Sequence, residues 1–228
     1  MATCERVIVF DVNETLLDIE SLNPFFEQTF GEARVMRQWF SELIIYSQSL
    51  TLSGSYTPFG QLAVAVLKMV ADIRGVTLSE DNISAFQAKM AVLPAHPDAE
   101  PALKMLHNAG FRLITLTNSS TQAGREVLEK SGLASYFERQ FSVEEVKQFK
   151  PASETYNLVA QALGLDGGSL RLVAAHTWDT LGAISAGWKG AMVTRPGNAV
   201  LSVGVQPDIV GNDLVVVARK IIESDRED

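Results

Sequence analysis

Four clusters of residues along the chain carry groups that can do chemistry. Asp11 and Thr15 follow the apolar run "VIVF"; Thr117, Asn118 and Ser119 follow "FRLITL"; Lys150 precedes Pro151; and His176 through Asp179 follow "LRLVAA". Together they offer a carboxylate, hydroxyl and amide groups, an amine and a second carboxylate. Such a set can bind a small polar molecule and move protons on it. Taken singly, Asp, Asn, Ser and Thr are also ordinary helix caps and turn residues. Their recurrence where successive strand-like runs end favours one convergent site.

The elements that must position these groups read as an alternation. "RVIVFDV", "FRLITLTN", "LRLVAAH" and "GAMVTR" are strand-like, while 98–109, 121–132, 152–163 and 179–187 have helical periodicity. This rhythm predicts βαβ crossovers and a parallel sheet covered on both faces. Gly110 and Gly132 close the first two of these helices and Pro151 marks the start of the third. Residues 16–95 break the rhythm with helical pattern and no convincing strand pair. The expected architecture is therefore an α/β protein: a Rossmann-like parallel core, residues 1–15 and 96–228, with an inserted helical cap, residues 16–95. "RPGNAVLSVGVQPD" reads as a loop. In an open parallel sheet ligands bind beyond the carboxyl ends of the strands, which is where the clusters fall.

Composition narrows the partners. The 228 residues, 46% hydrophobic and 20% charged, are those of a globular chain, and a formal charge of -8 argues against a nucleic-acid footprint. No run approaches the roughly 18 apolar residues of a membrane span. The first 15 residues lack the basic start and cleavage site of a signal peptide, so a cytoplasmic location is expected. The single cysteine, Cys4, allows neither an internal disulfide nor a multi-cysteine zinc site. The expected partner is a small molecule, with no nucleic acid and no membrane; a homodimer stays open.

The ordered clusters resemble the haloacid dehalogenase superfamily. "DVNET" matches its DxxxT pattern, "LTNSS" its second-strand Thr/Ser element, "KP" its lysine and "AAHTWD" its fourth-strand acidic loop. "KPASETY", "WDTLGAISAGW" and "RPGN" are most similar to the type II L-2-haloacid dehalogenases, with the phosphatase branch as the main competitor. The resemblance implies that Asp11 displaces a leaving group from C2 of a small carboxylic acid, forming an ester, without metal or cofactor. Thr15, Asn118 and Lys150 would hold Asp11, and Lys150 would keep it ionised. Asp179 would activate the water that opens the ester, and Thr117 with the amides after it would bind the substrate carboxylate. Trp39, Phe40, Tyr156 and Trp178 complete the expected substrate-binding set.

Departures from the pattern bear on the reaction. A phosphatase of this superfamily needs a second Asp two residues after the nucleophile and a magnesium ion; here that position is Asn13, and the fourth loop places Thr177 and Trp178 before Asp179. The dehalogenase pattern places an Arg early in the cap to receive the halide, about where Phe40 stands, with Arg37 nearby. In the fourth loop the pattern's Ser and Asn become Ala174 and His176. An imidazole there can donate, accept or carry charge, which adds His176 to the catalytic set. The leading expectation is a 2-haloacid dehalogenase. The alternatives are ring opening of L-azetidine-2-carboxylate by the same mechanism, and a magnesium-dependent phosphatase.

Overall fold

The computed structural model describes residues 7–225, so Cys4 lies outside the described residues. Strand β1 (Val7–Phe10) is buried at every position. A strand with no polar alternation belongs in the middle of a sheet covered on both faces, and β1 sits there. It pairs in parallel with β2 (Arg112–Thr117) on one side and β4 (Leu170–Ala174) on the other. Beyond β2 lies β3 (Arg139–Ser142); beyond β4 lie β5 (Lys189–Val193) and β6 (Ile209–Gly211). The order is β3-β2-β1-β4-β5-β6, every pair parallel. The chain thus builds outward from β1 in one direction and then in the other, which opens a crevice beside β1 at the carboxyl edge. Phe10 is in register with Thr115 and Val173, and the Asp11 amide donates to the Val173 carbonyl at 3.0 Å. Asp11 is therefore held at that edge.

Between β1 and β2 run a short 3-10 turn (Ile19–Leu22) and the helices α1 (Asn23–Phe30), α2 (Val35–Leu52), α3 (Phe59–Arg74) and α4 (Glu80–Met90), followed by α5 (Ala99–Asn108). The inserted helices share an aromatic centre: the Trp39 ring lies 5.6 Å from Phe26 and 5.1 Å from Phe86, centroid to centroid. Ser79 and Asn82 cap α4 reciprocally, satisfying two otherwise orphaned amides. The core helices α6 (Thr121–Lys130), α7 (Ser153–Leu163), α8 (Thr177–Ser185) and α9 (Leu214–Ser224) follow β2, β3, β4 and β6. Gly110 and Gly132, just past α5 and α6, have φ of +87° and +78°, where a side chain would be strained.

Two strands and one helix lie outside the elements that periodicity predicts. β3 reads "RQFS" and β6 has three residues, so neither carries an apolar run long enough to register. α9 contains three consecutive valines, Val215 to Val217, and β-branching works against a helix. Tertiary packing wins: Leu214, Val217, Ala218 and Ile221 form its buried face, and Asp213 accepts from the Val216 amide at 2.7 Å as N-cap. Residues 195–208 form the loop their glycines and prolines predict. No helix among the described residues is long and apolar enough to cross a membrane.

Candidate active site

The four clusters converge around Lys150. Its ammonium donates to Asp11 Oδ1 at 2.8 Å, to Asp179 Oδ2 at 2.6 Å and to the Leu116 carbonyl at 3.1 Å, and the residue is fully buried. All three hydrogens of an otherwise costly buried charge are thereby placed. Asn118 sets the lysine's backbone, its Oδ1 accepting from the Lys150 amide at 3.0 Å. The second oxygen of Asp11 accepts from the Thr15 hydroxyl at 2.7 Å, and that hydroxyl in turn accepts from the Ala175 amide at 2.8 Å. Burial raises the pKa of Asp11, but the charges of Lys150 and His176 outweigh it and hold the carboxylate below its usual range. Asp179 shifts the other way: burial raises it, the charge of Lys150 resists, and the negative charge of Asp11 adds to the rise. Tyr156 donates to Asp179 Oδ1 at 2.7 Å, so both oxygens of that carboxylate are engaged.

A second chain of charges approaches Asp11 from the other side. His176 Nε2 lies 2.6 Å from Glu14 Oε2, while its Nδ1 points to Asp11, 3.5 Å from Oδ2, and has no hydrogen-bond partner among the described residues. Burial opposes a charge on the ring, yet the two carboxylates raise the pKa of His176 to about 9. Arg37 closes the chain: it donates to Glu14, to Glu20 Oε1 at 3.1 Å and to the Pro196 carbonyl at 2.7 Å. Glu14 itself has φ of +67°, a left-handed conformation that costs a non-glycine residue about 1–3 kcal/mol. It tolerates that strain with its carboxylate buried between a guanidinium and an imidazole. Nothing in "VNET" signals this role, since an acidic residue between Asn13 and Thr15 reads as an ordinary turn residue.

Asp11, Phe40, Thr117, Asn118, His176 and Trp178 line one small pocket. Trp178 stacks on His176 at 4.9 Å with an interplanar angle of 16°, and Phe40 lies 5.6 Å from the same ring. The Thr117 hydroxyl accepts from the Ser119 amide at 3.1 Å. Three expected contact residues sit elsewhere. Trp39 belongs to the cap's interior, fully buried, with its indole N–H donating to the Ala63 carbonyl at 3.0 Å. Tyr156 stands behind Asp179, and Thr15 behind Asp11, each holding a carboxylate and neither lining the pocket. Sequence reasoning also missed Arg195, whose guanidinium donates to the Thr15 carbonyl at 2.8 Å and pairs with Asp98, fixing the loop that follows Asp11. Of the other histidines, His96 Nε2 lies 3.1 Å from the Glu14 carbonyl and His107 sits in the last turn of α5, both away from the pocket.

A Rossmann-like sheet whose first strand ends on a lysine-bound aspartate, with a helical insert closing over it, defines a class of hydrolases. The chain matches the profile of the haloacid dehalogenase-like hydrolases over residues 5–187 and belongs to that family. It is 29% identical over 210 residues to (S)-2-haloacid dehalogenase H-109 of Pseudomonas putida, covering 91% of this chain and 93% of that one. Its fold matches the L-2-haloacid dehalogenase RSc1362 with a TM-score of 0.89 at 26% identity, over 97% of this chain and 98% of that one. It also matches the L-2-haloacid dehalogenase from Xanthobacter autotrophicus with chloropropionic acid covalently bound, with a TM-score of 0.87 at 22% identity over 96% and 99% of the two chains.

Proposed function

We propose that this hydrolase displaces the halogen from C2 of a small 2-halocarboxylic acid through an aspartyl ester on Asp11. The observation that carries the reading is the shared lysine. Two buried carboxylates meet one ammonium, and their surroundings push their pKa values apart. Such a divergence separates a nucleophile from a base. Asp11 stays ionised, is oriented by Thr15 and Lys150, and faces the pocket. Its attack on C2 expels the halide and leaves an ester; water then attacks the ester carbonyl while Asp179 accepts a proton. The family membership, the named activity of the Pseudomonas putida relative and the covalent adduct in the Xanthobacter autotrophicus structure support the same chemistry.

The reading routes no step through a metal. Asn13 offers an amide where the phosphatase pattern has an acid. Among the described residues no three His, Cys, Asp or Glu side chains are grouped as metal ligands. The His176 imidazolium, its Nδ1 3.5 Å from Asp11 Oδ2, sets a second positive charge beside the nucleophile and helps keep it ionised. Chloride release from each enantiomer of 2-chloropropionate, with and without a chelator, tests the reading beside phosphate esters. Chelator-resistant chloride release is expected; magnesium-restored phosphate release in its place would overturn it.

A further inference from the structure

Two chambers share Asn13 and Phe59 as lining residues, so only these side chains stand between them. The one around Asp11 has a volume of about 10 Å³, so the substrate's carboxylate and C2 must widen it on entry. The other is about 520 Å³ and lies between α3 and α4 of the cap and α6 of the core; no step above uses it. We propose that this larger cavity houses the C2 side chain of the substrate, so that the enzyme prefers 2-substituted acids with an unbranched apolar chain of about six to ten carbons. The proposal rests on the reading that Asp11 attacks C2.

The walls suit an alkyl chain. Phe59, Val64, Phe86 and Met90 face the cavity from the cap, with Ala123 and Val127 from the core. The volume falls in the range of small-molecule sites and far exceeds what the methyl of propionate could fill. Asn13, on the partition between the chambers, is held by one weak polar link, from its Nδ2 to Ser119 Oγ at 3.4 Å. Asn13 and Ser119 are both half-buried, so turning the amide aside leaves neither group stranded from water. Each methylene taken from water into such walls strengthens binding about fourfold. Contacts this far from the reacting carbon can also be used to align it.

The test is a series of 2-chloro acids with three, eight and ten carbons, whose C2 side chains have about one, six and eight, read as kcat/KM, on the wild type and on Val64→Phe and Ala123→Phe, which fill the cavity from opposite walls. The eight-carbon acid is expected to exceed the three-carbon acid by at least about tenfold, below the ideal gain because the chain loses rotamer freedom. Each filled variant is expected to cut that ratio about tenfold or more. A flat series overturns the proposal. So do variants that slow all chain lengths equally, since the cavity would then be an entry passage. If no 2-chloro acid turns over, the reading of the reaction fails, and calorimetric binding of 2-hydroxyoctanoate against lactate decides the cavity's role separately. Binding of the longer acid at least about tenfold more tightly, lost on filling, upholds it; equal binding of the two overturns it.

Discussion

Glu14 holds His176 at 2.6 Å while Arg37 grips the same carboxylate from the opposite side. The guanidinium thus stops at Glu14, and the imidazole carries positive charge the rest of the way to Asp11. Phe40, which stands about where the family pattern has its arginine, packs on that imidazole. A cation is present near Asp11 after all, on a different residue type and from the opposite side of the cap–core boundary.

The pair sets a pH dependence. His176 has a folded pKa of about 9, above its ordinary 6.5, so its contribution to stability is fully present below pH 6.5 and is lost as pH rises through about 9. Activity that needs the imidazolium falls over the same alkaline window. Glu14→Gln removes one of the two carboxylates that raise the ring, and the alkaline limb of kcat/KM should move down to about pH 8 or below. The chain has three histidines, so an NMR titration can follow the His176 ring directly. An alkaline limb and a ring titration that both stay near 9 in the variant would remove Glu14 from this role.

His176→Asn tests the charge itself. An asparagine can still offer a hydrogen bond but carries no charge, so Asp11 loses one of the two cations that keep it ionised. The acid limb of kcat/KM should move up, with chloride release at pH 7 falling about tenfold or less. The variant should also lose the alkaline limb. An acid limb that stays where it is in the wild type would remove this ring from that role.

What the sequence discloses and what it hides divide along physical lines. Asp11 is legible because it directly follows an apolar run whose end must lie at the edge of a parallel sheet, whereas Lys150 and Asp179, eight and five residues beyond their strands, are legible through "KP" and "AAHTWD". Trp39 and Phe40 are harder. They are neighbours on α2, about 100° apart around the helix, and both are buried. Periodicity cannot say that one faces the cap's interior and the other the pocket. Glu14 is illegible for a different reason: its role depends on a left-handed backbone that glutamate rarely adopts, and on partners 23 and 162 residues away. Arg195 reaches Thr15 across 180 residues, a contact only the completed sheet creates.

Lys150→Met is a stability experiment as much as a kinetic one. It leaves Asp11 and Asp179 buried without their shared ammonium, and removing one member of a buried ion pair costs about 3–5 kcal/mol. For a chain of this length the melting temperature should drop by roughly 6–20 °C at pH 7. The stranded carboxylates would have raised pKa values and take up protons as pH falls, whereas the wild type loses its ion-pair stabilisation only at more acidic pH. The gap between the two proteins should therefore narrow toward pH 4. Calorimetric melts across pH 4 to 8 check this, and a gap that widens on acidification would contradict the assignment of Lys150 as a shared counter-ion.

The last expectation concerns the covalent step. Asp11 has its second oxygen fixed by Thr15, its first by Lys150, and a carboxyl pKa low enough to stay ionised. Asp11→Asn keeps the shape and removes the nucleophile, so kcat should fall by about four orders of magnitude or more. The decisive measurement is a single turnover in heavy-oxygen water with enzyme in excess over 2-chloropropionate. If the ester forms, the product's new oxygen comes from Asp11 and water replaces it on the carboxylate. Mass spectrometry of the peptide spanning residues 7–16 should then find one heavy oxygen on Asp11, with unlabelled product. Label in the product and none in the peptide would mean that water attacks C2 directly. Asp11 would then be the base that activates that water, with Lys150 and Thr15 still holding it in the same place.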